Sequence, residues 1–367
     1  METIDVETLR TWLEEGRPVM VLDIRPMHER VEWAIPGSIH VDAYNALKAH
    51  DPAALAGMDV PIDGSIVTVC AAGKTSQIAA EQLAARGIQA FSLEGGMKAW
   101  SLAWNTAEVP MPQDTARIIQ VRRTGKGCLS YLIGIGEEAI VIDASLDPKV
   151  YLDLAHAHGW QITGVFDTHI HADHLSRSRQ LAERSGALLF LPDQQRVSFP
   201  FTAIRDGDTL DIGTASLTVL HTPGHTPEST CYLVNNHALF TGDTLFPTGV
   251  GRPDLDASAD EARARASALY HSLHKLLSLP SDTLVLPGHT STPVAFDGDP
   301  IAATLAGIVE QVGVIHATRE VFIEQILARI PPPPPNYERI VRLNETGVLP
   351  ERDVTELEAG ANRCAIS

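Results

Sequence analysis

Cysteine is scarce in this chain of 367 residues: Cys70, Cys128, Cys231 and Cys364 stand far apart and form no CxxC pair. That spacing excludes a disulfide scaffold and a thiolate zinc knuckle. Positive charge is also short, with 28 Lys and Arg against 46 Asp and Glu and a formal net charge of −18. So acidic a chain repels polyanions, so neither nucleic acid nor an anionic membrane surface is an expected partner. An anionic substrate would have to be held by local positive residues. No apolar run approaches the ~20 residues of a membrane span. The opening METIDVETLRTWLEEG lacks the basic start and apolar run of a signal peptide. The expected compartment is therefore cytoplasmic and reducing.

What is present is enough apolar material, 44% of residues, to bury a sizeable core. The length suits two domains of roughly 100–200 residues each. Over the first ~105 residues short apolar runs alternate with helical stretches, as expected of an α/β domain with parallel strands. VMVLD (19–23), IVTVC (66–70) and residues 89–93 read as strands, and 75–86 as a helix stopped at Gly87. Residues 105–114, with Pro110 and Pro112, read as a linker. Paired strands are expected over 118–142, 206–219 and 231–240, and helices over 148–158, 175–185 and 259–277. Pro331–Pro335 is a stiff polyproline spacer. A helix over 336–345 follows it, and residues 351–367 read as a solvated tail.

The strongest chemical signal is His169-Ile-His171-Ala-Asp173-His174, three imidazoles and a carboxylate within six residues. Alternate residues of an extended loop project the same way, so His169 and His171 can face one metal. Asp173 stands where it could cap a following helix. His225 (TPGHT), Asp243 (TGD) and His289 (PGH) then arrive in order, each after an apolar strand. Loops fixed by a rigid sheet are where layered folds place chemistry. Seven potential ligands are too many for a closed structural site, which needs about four.

These motifs resemble those of the metallo-β-lactamase superfamily over about residues 115–300. The resemblance implies an αββα sandwich with metal at one edge of two facing sheets. Two chemistries remain open on ligand types alone. A dinuclear zinc hydrolase of glyoxalase II type would use all seven residues, Asp243 bridging, to hydrolyse a glutathione thioester. The persulfide dioxygenase branch implies one Fe(II) per chain on His169, His225 and Asp243, a two-His, one-carboxylate set that leaves positions open for O2 and a substrate sulfur. His171, Asp173, His174 and His289 would then support those ligands or, in the zinc alternative, hold a second metal. Ala172 and the segment GVGRPD (249–254) resemble the dioxygenase branch, in which Arg252 would help hold the glutathione moiety. A guanidinium suits that role because it grips carboxylates in bidentate fashion. The C-terminal PPPPPNYERIVRLNETG resembles the matching piece of fused bacterial persulfide dioxygenases.

Cys70-Ala-Ala-Gly73-Lys74-Thr75-Ser76 lies between a strand and a helix. Backbone N–H groups and the positive end of a helix favour a thiolate there, and Lys74 adds charge. With LDIR (22–25), IPGSI (35–39) and LEGGMKAW (93–100), this segment resembles rhodanese domains over about residues 3–104. The resemblance implies that Cys70 carries a persulfide and that Gly73, Lys74, Thr75 and Ser76 cradle its donor, while Asp23 and Arg25 tie the domain together. Cys128 and Cys231 read as core residues, and Cys364 has no assigned role.

The expected architecture is thus an α/β rhodanese domain (1–104), a linker (105–114), a metallo-β-lactamase αββα sandwich (115–330) and a Pro-rich spacer with tail (331–367). The expected function is oxidation of glutathione persulfide, or another low-molecular-weight persulfide, by O2 to sulfite and glutathione. It would be coupled to sulfur transfer among thiosulfate, sulfite and persulfide through Cys70. The alternatives are the two-zinc glutathione thioesterase with an accessory rhodanese, and a sulfur carrier with a purely structural metal domain. A homodimer is expected from the family.

Overall fold

The computed structural model describes residues 2–58, 64–112, 116–350, 354–360 and 362–366. The N-terminal unit is a five-stranded sheet in the order Glu2–Ile4, Ala90–Leu93, Ser65–Val69, Val19–Asp23, Ile39–His40, every pair parallel. Parallel strands covered on both faces become continuous apolar runs. Accordingly, one core (Leu22, Ile66, Leu83) fills one side of the sheet and another (Leu9, Val67, Trp100) fills the other.

Two larger sheets follow. One has seven strands from Thr202–Ile204 to Asn105–Val109, and the other six from Thr209–Ile212 to Ala303–Thr304. Their inner faces interdigitate through Tyr131, Ile133, Phe166, Leu217, Tyr232 and Phe240. Helices Pro148–Ala157 and Ser178–Ser185 cover the outer face of the first sheet. Helices Ala259–Leu276 and Arg319–Ala328 cover that of the second. This is the expected αββα sandwich behind a rhodanese domain. The Ala259–Leu276 helix begins on a capping box, Ser258 with Glu261, which satisfies two amides that otherwise lack partners.

Three expectations change. The linker over 105–114 does not hold as a linker, because Asn105–Val109 is the edge strand of the seven-stranded sheet, antiparallel to Arg117–Arg122. Its alternation of buried Asn105, Ala107 and Val109 with more exposed neighbours is a five-residue signal, easily masked by Pro110 and Pro112. Residues 113 and 114 lie outside the described residues. The helix expected from 175 starts at Ser178. The amides of Leu175, Ser176 and Arg177 bond instead to Glu358 Oε1, Asn344 Oδ1 and the Ala144 carbonyl, which tie this stretch to the tail and to a neighbouring loop. The described part of the tail is not solvated. Glu358 and Cys364 are fully buried, and Ala365–Ile366 adds a strand against Gly249–Gly251. The two domains touch through Trp33, whose indole N–H donates to the Thr124 carbonyl, and through Phe296 packed on Trp100. Among the described residues no helix is long and apolar enough to cross a membrane.

Candidate metal centre

Four strand ends of the sandwich converge. His169 follows Gln161–Phe166, His225 follows Ala215–His221, Asp243 follows Ala238–Gly242 and His289 follows Leu284–Pro287. The backbone must come close here: a Cβ on Gly251 would lie 1.9 Å from the Asp243 carbonyl oxygen, so only glycine fits behind that carboxylate. The result brings ligand atoms of His169, His225 and Asp243 within 4.8 Å of one another. His169 Nε2 and His225 Nε2 lie 3.7 and 3.5 Å from Asp243 Oδ2.

The far side of each group is anchored. His169 Nδ1 meets Thr168 Oγ1 at 2.9 Å, and that hydroxyl in turn donates to Asp143. His225 Nδ1 donates to the Arg252 carbonyl at 2.8 Å, and Asp243 Oδ1 pairs with His289 Nδ1 at 2.7 Å. The near side is bare: buried His169 Nε2 and Asp243 Oδ2 have no hydrogen-bond partner. Leaving buried polar atoms unsatisfied costs roughly 1–3 kcal/mol each. Burial pushes His169 and His225 below the usual imidazole range, so both offer lone pairs. Burial pushes Asp243 the other way, but His289 and its hydrogen bond outweigh it and keep the carboxyl ionised. Two neutral imidazoles and one carboxylate turned inward are a donor set that fits a divalent metal.

The other four motif residues are engaged differently. His171 Nε2 lies 3.2 Å from Asp143 Oδ1. Burial opposes its charge, but the Asp143 carboxylate prevails and pushes the imidazole up to about 10, so in this arrangement it donates to Asp143. Asp173 has both oxygens taken. Oδ1 accepts from His174 Nδ1 at 3.0 Å, and Oδ2 from Asn362 Nδ2 at 2.5 Å and the Cys128 thiol at 3.2 Å. The expected helix cap by Asp173 is therefore not made. His289 packs against Phe246, the ring centres 4.4 Å apart and the planes tilted by 55°. Two further trios, Cys128–Asp173–His174 and Asp143–Asp167–His171, also bring donor atoms within 4.8 Å. In both, members hydrogen-bond to one another or to neighbouring side chains.

Arg252 does not stand free for a substrate, contrary to expectation. Its five N–H donors go to Asp254 twice and to the carbonyls of Pro331, Pro332 and Arg363. The guanidinium ties the pentaproline and the tail together. It is fully buried because those segments cover it.

Several residues at the site gave no motif. Asp143 holds Thr168 and His171; an acid closing the apolar strand EAIVI was its one sequence signal. Asn344 donates to the carbonyls of His171 and His174. Glu358 accepts from the Leu175 amide at 2.7 Å and pairs with Arg123. Together with Asn362 these form a C-terminal clamp on the metal loop. Asn344 falls in the segment 331–347 that resembles fused persulfide dioxygenases, whereas nothing in the sequence neighbourhood of Glu358 and Asn362 announced them; the three act from 170 to 189 positions away.

In the rhodanese domain, Cys70 ends a buried strand and the Thr75–Ala85 helix starts five residues on. Its sulfur is 3.3 Å from Ser76 Oγ, which in turn meets Ser92 Oγ at 2.8 Å. Gly73 has φ +78° and packs on Gly95, which turns the loop, while Lys74 is exposed and Thr75 buried. Asp23 and Arg25 form a buried bidentate pair, as expected.

Two cavities reach the histidines. One of about 30 Å³, between His169 and His171 and the helix Tyr337–Thr346, has room for water only. The other, about 420 Å³, touches His289, Phe246, Thr290, Ser291, Thr292 and Ala365 and has the size of a small-ligand site.

Two helix-covered sheets whose strand ends gather a buried metal-donor trio, preceded by a parallel sheet with a cysteine loop, define a two-domain protein with a candidate metal centre. The metallo-beta-lactamase superfamily profile matches residues 123–289 and the rhodanese-like domain profile residues 5–103. The chain belongs to the metallo-beta-lactamase superfamily and carries a rhodanese-like domain ahead of that fold. It is similar to ETHE1 from Myxococcus xanthus, 32% identical, with 62% of this chain and 97% of that one covered and a TM-score of 0.55. It is also similar to a metallo-beta-lactamase from Staphylococcus aureus subsp. aureus COL, 27% identical, with 64% of this chain and 74% of that one covered and a TM-score of 0.58. A hydroxyacylglutathione hydrolase of Rhizobium johnstonii is 38% identical over 154 residues, 41% of this chain and 57% of that protein. The chain thus spans little more than half the length of such curated relatives.

Proposed function

We propose that the chain is a non-haem iron persulfide dioxygenase joined to a rhodanese. The observation that carries this reading is the closure of Asp173. With both its oxygens hydrogen-bonded and His171 paired with Asp143, the donor atoms that lie together are those of His169, His225 and Asp243, while the bare Nε2 atoms of His174 and His289 fall outside that cluster. The likeness to ETHE1 over nearly that whole chain, against 57% of the hydrolase, supports the same branch.

Fe(II) held there would supply electrons to O2 and a place for the persulfide sulfur. The chain's own residues provide the rest. Asp243 carries the negative charge, Thr168 and Asp143 orient His169, and the Arg252 carbonyl orients His225. The cavity beside His289 and Phe246 takes the thiol carrier, with hydroxyls of Thr290, Ser291 and Thr292 along its wall. The balanced reaction takes one glutathione persulfide, one O2 and one water to glutathione, sulfite and two protons. The terminal sulfur loses four electrons to O2, and the S–S bond breaks with the glutathione sulfur leaving as thiolate.

In the rhodanese domain the Cys70 thiolate attacks the outer sulfur of thiosulfate and releases sulfite. The resulting Cys70 persulfide passes its sulfur to glutathione, which forms the dioxygenase substrate. A cytoplasmic location, with its glutathione pool, belongs to this proposal. The test is metal analysis after anaerobic purification, with O2 uptake on glutathione persulfide. About one iron per chain with uptake is expected for such a site. The hydroxyacylglutathione hydrolase relatives favour a second reading, a two-zinc thioesterase. Two zincs with hydrolysis of lactoylglutathione would establish it and sink the first.

A further inference from the structure

The seven motif residues that a two-metal centre would use are all present in this chain. His174 Nε2 and His289 Nε2 are buried and unpartnered, and Asp243 lies beside His289. What is withheld is Asp173. The geometry points to Asn362 as the residue that withholds it: the C-terminal tail keeps the centre at one metal by occupying the Asp173 carboxylate. The inference rests on the one-metal reading above and names the device that enforces it.

Three observations carry it. First, Asn362 is buried and its amide orientation is determined. Its Oδ1 accepts the Cys364 amide at 3.0 Å, which turns Nδ2 onto Asp173 Oδ2. Second, the amide cannot readily swing away. The next residues are pinned from Arg252, whose backbone N–H donates to the Cys364 carbonyl and whose guanidinium donates to the Arg363 carbonyl, and Ala365–Ile366 is paired into a sheet. Third, the competition is direct. The carboxylate oxygen that accepts two hydrogens, from Asn362 and Cys128, has its lone pairs committed, and the other oxygen accepts one hydrogen from His174. Groups that hydrogen-bond a metal-binding carboxylate set how it presents itself to a metal. Here they present it to the protein instead. Asn362 is thus a positioning residue for metal count, and it lies outside residues 123–289, the span matched by the superfamily profile.

The test is the metal stoichiometry of full-length apoprotein equilibrated with excess Zn(II), desalted and analysed by mass spectrometry, alongside the Co(II) absorption spectrum. Wild type is expected to retain one ion. Asn362→Ala, and Asn362→Ser, which leaves an oxygen near the Cys364 amide but withdraws the donor from Asp173, are each expected to retain two. The Co(II) band of either variant should gain intensity with the second equivalent. Near-UV circular dichroism identifies which variants are folded, and Asn362→Gly, which removes the same donor without a replacement side chain, serves if neither of the other two is. One ion in wild type and still one in the folded variants overturns the role of Asn362. Two ions in wild type overturn the one-metal reading itself, so the two failures are distinguishable.

Discussion

The carboxylate of Glu358 and the guanidinium of Arg123 meet at 2.9 Å with neither side chain exposed to solvent. Arg123 also donates to the Ser101 carbonyl of the N-terminal domain, and Glu358 accepts the Leu175 amide beside the metal loop. One ion pair therefore joins the rhodanese domain, the tail and the metal loop. The nearby Lys98–Glu356 bridge, at 2.8 Å and exposed, contributes little by comparison.

Removing one partner of a buried pair leaves an uncompensated charge and costs about 3–5 kcal/mol. Glu358→Gln is expected to lose stability of that order in urea unfolding at pH 7. Burial pushes the Glu358 carboxyl up, but Arg123 and Arg177 outweigh it and hold it below its ordinary 4.5. A depressed folded value means that the contribution is fully present above the unfolded value and is lost as pH falls through the folded one. Wild type should therefore lose stability more steeply than Glu358→Gln as pH drops below 4.5. Parallel acid profiles would count against the pair.

Arg252→Lys tests whether that side chain holds the tail rather than the substrate. Lysine cannot reproduce the bidentate grip on Asp254 together with the three carbonyl contacts. A loss of about 1–3 kcal/mol and faster proteolysis of the C-terminal segment are expected. A large rise in KM for glutathione persulfide with unchanged stability and proteolysis would return Arg252 to the substrate.

Asp143 orients Thr168 and through it His169, while also holding His171. Loss of such an outer partner typically costs 10–100-fold in metal affinity or activity. Asp143→Asn should weaken metal binding in that range, read by competition with a chelator. An affinity unchanged from wild type would mean that the histidines orient themselves.

Cys70→Ser removes the one thiol placed at a strand end before a helix N-terminus. A hydroxyl is a far weaker nucleophile than a thiolate and cannot carry sulfane sulfur. Sulfur transfer from thiosulfate to cyanide should fall to background. Retained turnover would move the nucleophile to Cys128, Cys231 or Cys364, which are buried as Cys70 is and whose thiols burial pushes up.

The order of strands and helices in both domains was legible because apolar runs and helical periods are local. The seven motif residues and Cys70 were legible because strand-end loops carry them in short recognisable clusters. The edge strand Asn105–Val109 was hidden by its neighbouring prolines, and the start of the helix at Ser178 by hydrogen bonds from residues far along the chain.

The sequence by itself thus determined the two-domain order, the layered fold and the set of residues able to bind metal. Only the tertiary structure shows which of their lone pairs already have partners. A ligand type is a property of one residue, but the direction of its lone pairs is a property of its partners. Asp173 is drawn to Asn362 and Cys128, His171 to Asp143, and Arg252 to the tail, whereas His169 Nε2, His174 Nε2, His289 Nε2 and Asp243 Oδ2 are left without a partner.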